Sequence, residues 1–365
     1  MRANYTLSLT GDVMLGRGVD QILAHPGDPR LREGVIRDAR RYVDLAERAN
    51  GAMPRAVDDA YVWGDARGAL RNGPQLSIVN LQTSITASGD FAARRSNYRM
   101  NPKNVGCLLA ADVDCCVLAN DHVLDFGRAG LVETLETLDA AGIRHAGAGR
   151  NAEEAASPAI LRRVGGRVLV FAFGLATSGI PETWSAGRSR PGVNLIDHTS
   201  SAAVSNIEHR VKAVREEGDF LVASIHWGPN WGYAITAEQR KFARDLIDMG
   251  FAVVHGHSSH HPLAIEVYRD RLILYGCGNF ISDCEGIAGH EEYRSDLAML
   301  YLPQLANPSG RLLGLTMLAF QRRRFRLEHA APPDVVWLRD VLDRECRRFL
   351  TRVEAVGGNV LSLAT

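Results

Sequence analysis

Aspartate, asparagine and histidine recur in this chain at the ends of short apolar runs. Asp12 closes Thr10-Gly11-Asp12, and Asn80 follows Val79 in Val79-Asn80-Leu81-Gln82. Asn120, Asp121 and His122 follow Leu118-Ala119, His226 follows Ala223-Ser224-Ile225, and His255 and His257 follow Ala252-Val253-Val254. Asn279 comes after Leu272–Tyr275 by way of Gly276 and Gly278. These are hard to borderline oxygen and nitrogen donors suited to Zn, Mn or Fe, and one or two such ions can polarise a phosphoryl or acyl group and activate water. A single Asp after Gly is equally at home as a helix cap or turn residue. The four histidines of His255-Gly256-His257-Ser258-Ser259-His260-His261-Pro262, joined at both ends to apolar sequence, are too dense for a purely structural explanation.

The elements that must position these side chains alternate between β-branched apolar runs and longer stretches of helical period, the pattern of an α/β layer fold. Strands are expected over 5–10, 75–79, 114–118, 168–173, 220–225, 252–255 and 272–275, and helices over 34–48, 130–141, 201–217 and 237–249, the last capped by Gly250. In open α/β sheets ligands bind at the carboxyl ends of strands, so residues far apart in the chain can meet in one pocket. After about residue 295 the pattern turns to antiparallel strands, 297–302, 312–319 and 325–329, and then to a helix over 334–353 ending at Gly357. Because the polar clusters come from both halves of the chain, one domain over 1–330 with a helical extension, 331–365, packed on it fits better than two equal domains.

Composition narrows the partners. The 365 residues hold 42 basic and 42 acidic side chains, so the net charge is zero, and no whole-protein field favours nucleic acid or an anionic membrane. A hydrophobic share of 46% with 23% charged residues supports a substantial core. No run approaches the ~20 apolar residues of a membrane span, and the start of the chain shows no basic and then apolar leader, so the expected location is the cytoplasm. The six cysteines lack C-x-x-C spacing, and Cys115-Cys116 reads as a pair of buried thiols.

Several of these segments occur together in the order of a known family. Gly11-Asp12-Val13-Met14-Leu15-Gly16-Arg17, Asn80-Leu81-Gln82-Thr83, Leu118-Ala119-Asn120-Asp121-His122, His226-Trp227-Gly228, Gly256-His257 through His260, and Tyr275-Gly276-Cys277-Gly278-Asn279-Phe280 resemble the poly-gamma-glutamate capsule biosynthesis (CapA) family, over roughly residues 5–300. The resemblance implies a calcineurin-like metallophosphoesterase fold, a four-layer α/β/β/α sandwich. With Asn230-Trp231-Gly232-Tyr233 it looks like a soluble subgroup lacking the N-terminal anchor usual in capsule proteins. It further implies that Asp12, Asp121, His226, His257 and His260 bind one or two divalent ions (Mn, Zn or Fe). His122 would be the proton donor to a leaving group, while Asn80, Gln82, Asn120 and Asn279 orient ligands or bound water. Arg17 either clamps an anionic oxygen of the substrate or forms a salt bridge on the first helix.

Two positions depart from that family's pattern: Gln82 stands where glutamate is usual, and Asp121 where asparagine is usual. One change removes a negative charge and the other restores it. Either the anionic ligand has moved within the site, or the site has decayed. The implied function is a metal-dependent hydrolase or transferase acting on a small-molecule or peptide-like anionic substrate. The alternatives are a non-catalytic accessory protein of poly-gamma-glutamate or capsule synthesis and a silent binding module. Oligomeric state is left open.

Overall fold

A computed structural model describes residues 4–364 apart from 93, 164, 165 and 288. The expectation about a leader rests partly on residues 1–3, which lie outside the described residues. Among the described residues no helix is long and apolar enough to cross a membrane.

The strands that carry chemistry are β1 (Tyr5–Val13), β2 (Leu76–Leu81), β3 (Cys115–Val117), β4 (Phe220–His226), β5 (Val253–His257) and β6 (Asn279–Ile281). β1, β2 and β3 run parallel in a ten-stranded sheet; β1 also pairs with β6 and, antiparallel, with Leu297–Leu305. β4 and β5 are parallel neighbours inside a six-stranded sheet, with Gly166–Gly174 on one side and Arg271–Leu274 on the other. Both faces of β2, β4 and β5 are covered, and this is why they read as nearly continuous apolar runs rather than as alternating ones.

The two sheets pack face to face. The Tyr5 ring of β1 lies 5.0 Å from Phe220 of β4, and the imidazole of His255 in β5 reaches the Thr10 carbonyl of β1 at 2.8 Å. Helices cover the outer faces: α1 (Gly127–Ala140) packs against Ser84–Ile85 and Arg144–Ala146, and α2 (Ala237–Asp248) against β5. The result is the expected four-layer α/β/β/α arrangement. A capping box between Thr236 and Gln239 starts α2, and Gly250, at φ 103°, ends it where a side chain would be strained.

Several elements differ from expectation. β1, β2, β4 and β5 run two or three residues further than their apolar runs, or one in the case of β4, so Asp12, Asn80, His226 and His257 lie on the strands and not after them. Hydrogen-bond register from the neighbouring strand outweighs their polarity. The helix expected over 34–48 begins only at Arg40, because Asp38 accepts the Arg40 amide at 2.9 Å and Val35 is exposed. The terminal helix α3 (Pro332–Cys346) opens on two prolines and stops early. Asp343 there gathers Arg347, Arg352 and the Val353 amide, turning the chain into a hairpin of Val353–Gly357 and Val360–Leu363. The extension is therefore helical only as far as Phe349, and its last strand joins the larger sheet beside Leu312–Arg323.

Candidate metal centre

Sheet register places the donors. Asp12 on β1 stands opposite both Asn80 on β2 and Asn279 on β6, while His226 on β4 stands opposite His257 on β5. Because the strand ends face one another across the sandwich, Asp12, His226 and His257 each offer a ligand atom within 4.8 Å of the others, and all three are buried. Close backbone approach makes this possible. A Cβ on Gly11 would sit 1.7 Å from the Gly278 carbonyl oxygen, which accepts the Asp12 amide at 2.9 Å.

The donor atoms are prepared for a cation. Asn80 Nδ2 donates to Asp12 Oδ1 at 2.7 Å, whereas Asp12 Oδ2 and both side-chain polar atoms of Asn279 are buried without a hydrogen-bond partner. Burial pushes the Asp12 carboxyl up to about 6, against the pull of His226 and Asn80, which marks a carboxylate short of positive charge. A fixed acceptor sets the imidazole tautomers. The Thr10 carbonyl can only accept, so His255 Nε2 is the donor to it and His255 Nδ1 is left to accept from the Ser224 hydroxyl at 3.1 Å. Ser224 Oγ then accepts from His257 Nε2 at 3.0 Å, leaving a lone pair on His257 Nδ1, 2.8 Å from His226 Nδ1. Burial keeps both His255 and His257 neutral, His255 at about 4 and His257 well below the ordinary range. One carboxylate and two imidazole nitrogens, one of them oriented from behind by a hydroxyl, fit a divalent transition-type ion.

Beside this group lies a second, charged cluster. Gln82 accepts from Asn80 at 2.9 Å and donates to Asp121 Oδ1 at 2.8 Å, so Gln82 and Asp121 are in direct contact. Asp121 Oδ1 also faces His226 Nε2 at 3.1 Å, and Arg94 donates to Asp121 Oδ2 at 2.6 Å. Burial opposes the charge on Asp121, but His122, His226 and Arg94 prevail and hold its carboxyl far below the usual range. His122 Nδ1 is 2.7 Å from the buried Asp125 carboxylate, and its Nε2 is 3.7 Å from Asp121. Burial would lower the His122 pKa, yet Asp121 and Asp125 outweigh it and raise it. Asn120 donates to Asn80 Oδ1 and receives the His122 amide, tying the two clusters together.

Of the residues singled out from sequence, Asp12, His226 and His257 come together, with Asn80 and Asn279 beside Asp12. Asp121 lies next to that group, across the other nitrogen of His226. His260 lies outside it, its ring 5.0 Å from Trp231; burial brings its pKa to about 4, with Asp121 and His122 close enough to act on it. Of the two readings of Arg17, the salt bridge holds and the substrate clamp does not: it is buried in a bidentate pair with Asp283 (3.0 and 2.5 Å) and also donates to Glu33 and Tyr42, so its guanidinium is not available to a substrate. Arg94, Asp125 and Ser224 were missed. Only Asp125, three residues after His122 in Asp121-His122-Val123-Leu124-Asp125, had a legible spacing.

The model of the bacterial capsule synthesis protein PGA_cap family matches residues 6–284. The chain belongs to that family. It is 47% identical over 363 residues, 98% of this chain and 95% of the relative, to a protein of Mycobacterium tuberculosis named probable polyglutamine synthesis accessory protein. It is 22% identical to the capsule biosynthesis protein CapA of Bacillus anthracis and 23% to the PGA biosynthesis protein CapA of Bacillus subtilis. Each of these matches covers 76% of this chain, but only 60% and 63% of the Bacillus proteins. The structure of a 5'-nucleotidase precursor from Thermus thermophilus aligns with 95% of this chain and 59% of its own, at TM-score 0.47 and 13% identity.

Proposed function

We propose that this PGA_cap family member is a metal-dependent hydrolase or transferase acting on a small-molecule or peptide-like substrate that carries phosphate or carboxylates. The observation that carries the proposal is the convergence of Asp12, His226 and His257, with Asp12 Oδ2 buried and unpartnered and the His257 Nδ1 lone pair turned inward. These three residues would hold a divalent ion such as Mn, Zn or Fe, which supplies Lewis acidity toward a phosphoryl or carbonyl oxygen when bound.

The chain's own residues supply the rest. His122 carries a proton at Nε2 for a leaving group: Asp125 at Nδ1 orients the ring, and Asp121 and Asp125 together raise its pKa and so favour the protonated form. Arg94 and Gln82 hold Asp121 in place beside His122 and His226, and Asn80 orients Asp12. A second reading, a non-catalytic accessory protein of polymer synthesis, draws on the name of the M. tuberculosis relative, which is similar to nearly the whole chain.

Hydrolysis of p-nitrophenyl phosphate and bis-p-nitrophenyl phosphate with added Mn, Zn or Fe tests the two. Metal-dependent turnover that disappears in His122→Ala supports the enzyme. Protein that is inert to both esters with every metal supports the accessory role.

A further inference from the structure

Among the described residues, buried arginines are paired with carboxylates, with one exception. Arg17 has Asp283 and Glu33, Arg167 has Asp219 and Glu216, and Arg99 has Asp28. Arg322, on the strand Leu312–Arg323, is only 4% exposed, yet among the described residues its guanidinium makes a single hydrogen bond, from Nη1 to the Asn279 carbonyl at 2.6 Å, and no ion pair. The carboxylates that act on it from a distance are already engaged. Asp296 is bonded to Arg294 and Gln321, and Glu285 to Asn50 and the amides of Arg324 and Phe325. Arg322 lines a cavity of about 340 Å³ together with Cys284, Glu285, Arg294, Asp296 and Gln321. Removing a guanidinium from water without a counter-charge is costly, so such a group is expected to face an anion. Burial lowers the Arg322 pKa, against the pull of Cys284, Asp296 and Glu285.

We propose that Arg322 is the receptor for a small oxyanion, a carboxylate or phosphate group, bound in this cavity. Arg322 lies beyond residue 284, where the match to the family model ends. The site also adjoins the candidate metal centre: Arg322 holds the carbonyl of Asn279, the register partner of Asp12, and its charge reaches His260. The charged group of a substrate and a free regulatory anion would use the same chemistry there. The site itself does not depend on a metal being bound at Asp12.

Cys284 provides a local reporter, because it is half-buried whereas the other five cysteines are buried. The experiment follows the rate of Cys284 alkylation by a neutral maleimide, located by peptide mass spectrometry, against rising inorganic phosphate or glutarate, with chloride at matched ionic strength as control. Arg322→Gln retains a donor for the Asn279 carbonyl, and Arg322→Lys retains the charge. Expected is saturable protection in the native chain, about tenfold at ten times the half-effect concentration. It should persist in Asp12→Asn, weaken in Arg322→Lys and vanish in Arg322→Gln. Protection by phosphate and glutarate alike indicates any small oxyanion, whereas protection by one alone names the group; both outcomes support the site. No protection of the native chain beyond chloride, unchanged protection in Arg322→Gln, or loss of protection in Asp12→Asn overturns it. If the ester assay fails while protection is seen, the hydrolase reading falls and the anion site stands.

Discussion

Changing Gln82 to glutamate probes the contact that joins the two unusual positions of the site. In the native chain Gln82 Nε2 donates to Asp121 Oδ1 at 2.8 Å. Gln82→Glu replaces that donor with a second carboxylate at the same distance, where two unit charges repel by about 6 kcal/mol at an effective dielectric of about 20. The protein escapes the full cost by protonating the new side chain. With an unfolded pKa of about 4.3, protonation at pH 7 costs about 3.7 kcal/mol, and the loss of stability should be of that size. The sign follows from linkage: the new carboxyl has a folded pKa above its unfolded value, so the penalty is full near neutral pH and shrinks as pH falls, to about 1 kcal/mol at pH 5. Adding Asp121→Asn restores a donor facing a carboxylate, with the direction reversed, and should return at least about 2 kcal/mol relative to the sum of the single changes. Urea denaturation of chelator-treated protein at pH 5 and pH 7 measures all four members of the cycle. Additivity of the two changes within about 0.5 kcal/mol, or a Gln82→Glu variant as stable as the native chain at pH 7, would refute charge compensation at this pair.

Three further outcomes follow from the geometry. Ser224→Ala removes the group that fixes the His257 tautomer and should weaken divalent-ion affinity by about tenfold in calorimetric titration while leaving the fold intact. The His122 ring should titrate above the ordinary histidine value in metal-free protein, and Asp125→Asn should lower that pKa; histidine NMR resonances report both, and an unmoved titration would contradict the role of Asp125. Gly11→Ala forces a Cβ against the Gly278 carbonyl and should cost about 3 kcal/mol or more in denaturant unfolding, whereas Gly314→Ala, with no atom within 4 Å of the added carbon, should change stability by less than about 1 kcal/mol.

How much could be read in advance depended on how local each signal was. The alternation of strands and helices and the density of His255–His261 are local, and they led to the two sheets and to His257. Asp12 and His226 could be named because each sits at the end of its own apolar run. The two readings of Arg17 could not be separated in sequence, because its partner Asp283 is 266 positions away and only the fold brings them together. Arg94 lies outside any regular element, and Ser224 is one polar residue inside a strand; neither has a spacing that points to a site. The C-terminal hairpin was hidden by the helical period of 334–346, although Gly357-Gly358, both with positive φ, carries the turn that closes it.

The central claim is that Asp12, His226 and His257 form a divalent-ion site. Elemental analysis of the native chain and of His257→Ala, each stripped with chelator, exposed to Mn, Zn or Fe and desalted, tests it most directly. The structure predicts at least one tightly held equivalent of one of these metals in the native chain and its loss in a variant that remains folded. A native chain that retains no metal, or a His257→Ala variant that retains as much, would contradict the account.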